Sequence, residues 1–168
     1  MKMMGTFKSE QLFIVRHGLP IGPDSLRRLD PSGKRMLENV ARAIGEKVNP
    51  ELRLRFVSSP LVIAIETMIE MAPLIEVNGE KRFKGYVETH PSLYAGSGFE
   101  GFVSFCNSPP FTIAPIVAVA NKPFLEDFPR WYVKEVLGGK FEGEFGEEYA
   151  RGIYIDLKSG KYEPLPSK

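Results

Sequence analysis

The seven residues LFIVRHG, Leu12 to Gly18, join four apolar side chains to an arginine, a histidine and a glycine. A short apolar run with β-branched members is typical of a parallel strand that is buried on both faces. In open α/β sheets, ligands bind just beyond the carboxyl ends of such strands. Arg16, His17 and Gly18 therefore stand where a binding site is expected.

These three residue types suit an anion that carries phosphorus. An arginine holds a phosphate through a planar fork of donors, and a neutral imidazole nitrogen can attack phosphorus. A glycine lets the backbone approach an anion closely. The tripeptide alone fits equally well with a strand end followed by a solvated basic turn.

Composition limits the class of protein. The 168 residues suffice for one domain with a substantial core, and we expect a single domain over residues 1–168. With 22 Lys and Arg against 21 Asp and Glu, the formal net charge is +1, so no overall field attracts nucleic acid or a membrane surface. We expect neither as a partner, and any anion site must be built locally.

The chain has one cysteine, Cys106, and two histidines, His17 and His90. One cysteine allows no internal disulfide and suits a reducing compartment. So few ligands argue against a structural zinc site, and we expect no metal or cofactor. The opening MKMMGTFKSE contains no apolar segment of signal-peptide length, which predicts a cytoplasmic location.

Periodicity and turn residues predict the remaining elements. Two further strands are expected at Leu52 to Val57 and Ile113 to Ala120, and a closing hairpin is expected around the turn Ser159-Gly160. Helices are expected from Ser32 to Val48, from Leu61 to Ala72, around Phe102 to Phe105, and from Phe124 to Leu137. The sequence Ser58-Ser59-Pro60 predicts a capped start for the second helix, with the proline at its first position.

Strand, tight turn and helix recur along the chain, and one cluster of ligand residues follows a strand. This pattern predicts an α/β fold, a three-layer α/β/α sandwich around a mainly parallel sheet, with a phosphate-sized pocket at the carboxyl edge.

In this order of blocks the chain resembles the histidine phosphatase superfamily, the phosphoglycerate-mutase-like enzymes, and most of all the short branch of bacterial phosphohistidine phosphatases. LFIVRHG resembles the signature strand, whose histidine is phosphorylated and whose arginine holds the phosphoryl group. DSLRRLDPSG, Asp24 to Gly33, resembles the Asp-x-x-Arg block of the short branch, and SSPLVIAIET, Ser58 to Thr67, the second block. IVAVANKP, Ile116 to Pro123, lies over the third block.

The resemblance implies a phosphoglycerate-mutase-like fold and a hydrolase that acts through phosphorylated His17. It implies that Arg16 and Arg27 bind the phosphoryl group. Ser58, Asn121 and Lys122 are further candidates for phosphate binding, Asn121 through its amide and Lys122 as a point charge. Glu88 and His90 fall near the place where many members carry the acid that protonates the leaving group. For each of these two residues, an ordinary loop role is the alternative interpretation.

Two positions depart from the family pattern. Ile63 stands where the second block carries an arginine, and Asn121 stands where the third block carries a second histidine. Removing one preorganised donor from a charged transition state typically costs about a hundred- to a thousandfold in rate. Two such losses predict a reaction slower by roughly four orders of magnitude.

Three hypotheses follow from the sequence. The chain is a phosphatase with an altered pocket, acting on a phosphorylated small molecule or a phosphoprotein. Alternatively, it binds a phosphorylated or other anionic ligand without efficient turnover, or it is an interaction protein with a vestigial pocket. The oligomeric state and the substrate are not predicted, because variable loops such as Gly79 to Pro110 set the substrate.

Overall fold

A computed structural model describes residues 6–23, 28–143 and 148–166. Its strands are β1 (Gln11–Arg16), β2 (Pro20–Ile21), β3 (Arg28–Leu29), β4 (Arg55–Ser58), β5 (Glu76–Val77), β6 (Glu80–Lys81), β7 (Glu88–Thr89), β8 (Ile116–Ala120), β9 (Gly152–Asp156) and β10 (Tyr162–Leu165). Its α-helices are α1 (Lys34–Lys47), α2 (Val62–Met71), α3 (Ser92–Ala95), α4 (Phe99–Cys106) and α5 (Lys122–Trp131).

Six of these strands form one mixed, mostly parallel sheet in the order β10-β9-β1-β8-β4-β7. β1, β8, β4 and β7 run parallel, so their carboxyl ends meet at one edge. β9 and β10 form the predicted antiparallel hairpin beside β1. The α/β fold with a mainly parallel sheet is therefore confirmed.

Alternate residues of the central strands face two apolar clusters, one on each side of the sheet. On one side Leu12 and Ile14 meet residues of α3, α4 and α5, among them Phe102, Phe124 and Phe128. On the other side Phe13 and Val15 meet α1 and α2. Because both faces are covered, β1 and β8 read as continuous apolar runs, which is why the sequence predicts them well.

Several predicted boundaries shift in the structure. The strand expected at Leu52 to Val57 begins only at Arg55, and the one expected from Ile113 begins at Ile116, so Pro115 lies before it. The last long helix begins at Lys122 and ends in a π-helical turn at Tyr132–Val136. The central ladder pairs Arg55 and Leu12 with Ile116, and this pairing sets where the strands start.

The residues that begin and cap α2 differ from the prediction. The helix begins at Val62, with Pro60 outside it, and the Ser59 hydroxyl accepts a hydrogen bond from the Leu61 amide at 3.3 Å. The residues of this helix are apolar on nearly every face, yet one side reaches solvent, since Val62 is 54% and Ile69 52% exposed. Across the part of the chain that the structure describes, no helix is long and apolar enough to cross a bilayer.

Candidate active site

His17 follows the last residue of β1 and lies buried at the carboxyl edge of the sheet. Its amide donates to the Ala120 carbonyl at 3.2 Å, and its carbonyl accepts from the Ala150 amide at 3.1 Å. The histidine backbone is thereby fixed between the end of β8 and the chain that enters β9.

The imidazole of His17 is oriented by the next residue. Its Nδ1 lies 3.0 Å from the Gly18 carbonyl oxygen. Because a carbonyl oxygen only accepts, this contact places a proton on Nδ1, so that in a neutral imidazole the lone pair belongs to Nε2. A histidine in this state has its nucleophilic nitrogen defined.

Tyr149 packs against both Arg16 and His17. The Arg16 guanidinium lies 4.1 Å from the centre of the tyrosine ring, and the His17 ring centre lies 5.4 Å from it. A cation over an aromatic face gains about 0.5–2 kcal/mol, depending on its exposure to solvent. The tyrosine therefore holds arginine and histidine side by side.

Gly18 is attached to α2 by a short relay of hydrogen bonds. The Gly18 amide donates to the Thr67 hydroxyl at 2.8 Å, and that hydroxyl donates to the Ile63 carbonyl at 2.7 Å. A Cβ on Gly18 would lie 2.5 Å from Leu29 Cδ1, so the position leaves little room for a side chain. The relay places the first turn of α2 next to the residue after His17.

Asn121 directly follows Ala120, the residue of β8 that pairs with Arg16, so its backbone lies beside that of His17. It precedes α5 without capping the helix through its side chain, and its amide donates to the Leu93 carbonyl at 2.9 Å. Its buried Oδ1 has no hydrogen-bond partner among the described residues. Oxygen and nitrogen of a side-chain amide exchange places by a flip, so the same site can present two N–H donors.

Lys122 and Ser58 are engaged with protein groups. The Lys122 ammonium lies 3.6 Å from the Glu126 carboxylate, one turn further along α5. The buried Ser58 hydroxyl donates to the Ser59 carbonyl at 2.8 Å. Both residues lie at the carboxyl edge, at the start of α5 and the end of β4.

His90 lies at the carboxyl end of β7, with two strands between β7 and β1, so about 14 Å of sheet separates it from His17. Its Nδ1 accepts from the Ser92 amide at 3.3 Å, and its ring packs on Phe102 and Phe105. Burial lowers the pKa of the His90 imidazole, so this ring is neutral at pH 7 with its proton on Nε2.

Glu88 forms a two-pronged ion pair with Arg55. Its carboxylate oxygens lie 2.7 Å from Arg55 Nε and 3.0 Å from Nη2, and Nη1 of the arginine donates to the Cys106 carbonyl at 2.8 Å. The arginine side chain is only 3% exposed. To act as a proton donor, Glu88 would have to leave this ion pair. The buried Arg55 guanidinium would then have no counter-ion, which is energetically costly.

Arg27 lies outside the described residues, so its assignment stays a prediction. Among residues 6–23, 28–143 and 148–166, no three His, Cys, Asp or Glu side chains lie close enough to hold a metal ion. The N-termini of α2 and α5 both open at the carboxyl edge, and helix N-termini carry partial positive charge that favours anions.

The sequence analysis missed Tyr149 and Thr67. Tyr149 lies in an aperiodic segment just before β9, where nothing in the sequence links it to β1. Thr67 sits in an apolar helix, and its side-chain partner is 49 residues away in the chain. Its spacing of four residues from Ile63 was the one available signal, since threonine hydroxyls bond to the carbonyl one turn earlier.

Comparison with solved structures identifies the fold. A protein from Nakamurella multipartitia assigned as a phosphohistidine phosphatase SixA superposes with a TM-score of 0.64 at 15% identity, covering 92% of each chain. A protein histidine phosphatase SixA solved with tungstate gives 0.54 at 18% identity, covering 92% of this chain and 93% of its own. A mycobacterial glucosyl-3-phosphoglycerate phosphatase solved with inorganic phosphate gives 0.59 at 14% identity, covering 93% and 95%.

These structural neighbours are phosphatases of the histidine phosphatase superfamily, and the fold is phosphoglycerate-mutase-like, as the sequence resemblance implies. At identities of 14–18% the likeness establishes the fold alone. No family model and no curated protein sequence matches the chain.

Proposed function

We propose that the protein is a phosphomonoester or phosphohistidine hydrolase that works slowly through a phosphohistidine on His17. Nε2 attacks phosphorus and the bond from phosphorus to the leaving atom breaks. The leaving atom, which is the oxygen of a phosphomonoester or the imidazole nitrogen of a phosphohistidine substrate, takes up a proton. Water then attacks the phosphohistidine, which releases inorganic phosphate and returns the neutral imidazole. The substrate is a phosphorylated small molecule or a phosphoprotein.

The observation that carries this proposal is the contact from His17 Nδ1 to the Gly18 carbonyl. It selects the tautomer in which Nε2 is the nucleophile, at the sheet edge where α/β folds bind ligands. Arg16, stacked on Tyr149 beside the ring, supports the proposal as the donor for the phosphoryl oxygens. Two structural neighbours were solved with tungstate and with inorganic phosphate, which supports a phosphate-like anion as the ligand.

The proposed low rate rests on Ile63 and Asn121. Ile63 is 3% exposed, so it supplies apolar contact in the turn of α2 nearest Gly18. Asn121 supplies amide donors but no charge. Positioning and charge stabilisation account for most of the catalysis in phosphoryl transfer, so a pocket with fewer cations lowers the rate more than it lowers anion binding.

A second candidate function is anion binding without turnover. The buried, unbonded Asn121 Oδ1 favours it, because a protonated phosphate oxygen, or any anion after an amide flip, would satisfy that side chain. Here Arg16, Asn121 and the N-terminus of α5 hold the ligand, and His17 only orients it.

Hydrolysis of an aryl phosphate by the wild type and by His17→Ala tests the proposal. An aryl oxide leaves without much help from an acid, so the result does not depend on which residue protonates the leaving group. We expect a measurable wild-type rate, well below the typical range of about 1–1000 per second, and a fall to the uncatalysed rate in His17→Ala.

His90→Ala is the matched control, because it removes the other histidine of the same sheet edge. It should retain most of the aryl phosphate rate while its melting temperature reports the integrity of the fold. Turnover that survives in folded His17→Ala would exclude the phosphohistidine route. Phosphate binding to the wild type, measured by calorimetry in the absence of any turnover, would favour the binding role instead.

A further inference from the structure

A cavity of about 380 Å³ lies away from the carboxyl edge, between the start of β4 and the segment 80–88. Residues 53–56 form one wall, and Phe111 closes it. Neither His17 nor Asn121 lines it. Its volume lies within the range of small-molecule sites, about 300–1,000 Å³.

The cavity is strongly cationic in a protein whose net charge is only +1. Five cationic side chains and two carboxylates line it. Arg55 and Glu88 neutralise one another, and Lys81 donates to the Pro73 carbonyl and faces Glu76 at 3.6 Å. Arg53, Lys84 and Arg82 then remain, opposed by Glu80 alone.

Arg82 is the side chain that points most clearly to a ligand. One of its terminal nitrogens, Nη2, donates to the Pro50 carbonyl at 3.0 Å, which holds the guanidinium in place. Its Nε is buried and has no hydrogen-bond acceptor among the described residues. A buried donor without an acceptor is uncommon, and Arg82 also lines the cavity, where the planar fork of a guanidinium matches the oxygens of an anion.

Aromatic rings complete the lining. Phe111 is partly buried, and Tyr86, which also lines the cavity, is 63% exposed. The Arg55 guanidinium lies 6.0 Å from the Phe111 ring centre. Planar rings stack on such aromatic faces and on guanidinium planes.

We propose that this cavity, named the Arg82 cavity, binds a small molecule that joins a planar ring to a phosphate, as a nucleoside monophosphate does. The phosphate lies against Arg82, Arg53 and Lys84, and the ring lies between Tyr86 and Phe111. A dianion balances the excess of cations better than a single carboxylate, and the guanidinium fork matches phosphate oxygens.

Calorimetric titration with adenosine and uridine 5′-monophosphates tests the proposal. The protein used is the full chain carrying His17→Ala, so that hydrolysis at the sheet edge does not contribute. We expect at least one nucleotide to bind ten times more tightly than adenosine, uridine or inorganic phosphate. Its affinity should fall as the salt concentration rises.

Tyr86→Ala and Lys84→Ala alter exposed side chains and should leave the melting temperature unchanged. Each should weaken nucleotide binding by tenfold or more, and Arg82→Met should weaken it further. Lys140→Ala, which removes a cation that is exposed and remote from the cavity lining, is the matched control and should bind like the parent.

The proposal would be overturned if neither nucleotide binds, or if Tyr86→Ala and Lys84→Ala leave the affinity unchanged. Binding that is lost in Arg16→Ala and kept in the cavity variants would place the nucleotide at the sheet edge instead. Nucleotide binding in the His17→Ala chain is independent of turnover, so it stands or falls separately from the proposed hydrolysis.

Discussion

At the scale of single residues, the imidazole of His17 is set by contacts that do not involve a substrate. The Gly18 carbonyl fixes its tautomer, Tyr149 packs on its ring, and the Ala120 carbonyl holds its backbone. Such preorganisation is expected of a nucleophile, because a group already in position needs no reorganisation during the reaction. Ile63 and Asn121 add no charge to that of Arg16, because neither side chain is ionised.

The double variant Ile63→Arg with Asn121→His adds charge on both sides of His17. Each correctly placed donor can return about a hundred- to a thousandfold in rate, and the two should act together rather than additively. Because Ile63 is 3% exposed, the new arginine must extend from a buried position toward the sheet edge, and we expect a stability loss of about 1–3 kcal/mol. Aryl phosphate turnover and the melting temperature measure the two effects.

Ile69→Arg is the control for this experiment, since Ile69 lies on the same helix but is 52% exposed. It adds the same charge to α2 away from the first turn and should change neither rate nor stability appreciably. A well-folded double variant with no gain in turnover would show that the edge is shaped for binding.

At the scale of elements, the sequence predicts best those strands whose burial produces a regular pattern of apolar residues. The runs at β1 and β8 and the alternation in β9 follow from two covered faces and one hairpin, so their existence is predictable. The start of α2 and the exposure of Val62 and Ile69 are not, because they depend on what covers the helix rather than on its own pattern. For the same reason the contact between Tyr149 and His17 was missed: it joins segments far apart in the chain.

The junction of β1 and β9 gives a prediction at this scale. A Cβ on Gly152 would clash with the backbone carbonyl of Ile14. This carbonyl belongs to the central strand β1 and, unlike the end of a flexible side chain, it has no room to move aside. Gly152→Ala should therefore cost about 1–3 kcal/mol or more in the free energy of unfolding. The midpoint and the slope of the urea unfolding transition give the free energy of unfolding and therefore measure this cost.

Gly101→Ala provides the comparison, because Gly101 lies in α4 and no neighbouring atom of the described residues comes within 4 Å of the position that a Cβ would take. Alanine favours the helix and should stabilise the protein by about 0.5–1 kcal/mol. Equal midpoints for the two alanine variants would mean that β9 approaches β1 less closely than described.

At the scale of the whole molecule, a nearly neutral chain concentrates positive charge in two places. One is the carboxyl edge with Arg16 and two helix N-termini, and the other is the Arg82 cavity near the start of β4. Strand β4 begins at the Arg82 cavity with Arg55 and ends at the carboxyl edge with Ser58. Strand β7 likewise begins at the cavity with Glu88 and is followed at the edge by His90. Local clusters of positive charge of this kind attract anions.

The phosphohistidine mechanism is tested most directly by the mass of the protein after incubation with excess aryl phosphate. An alkaline quench preserves phosphohistidine for this measurement. An aryl oxide leaves without help from an acid, whereas attack of water on phosphohistidine still depends on the donors around the phosphoryl group, so hydrolysis is the slower step and the intermediate accumulates. The account predicts one added phosphoryl group, located on the peptide that contains His17, present in His90→Ala and absent in His17→Ala. Product formation by a protein that never carries this group, or a phosphoryl group that persists in His17→Ala, would contradict it.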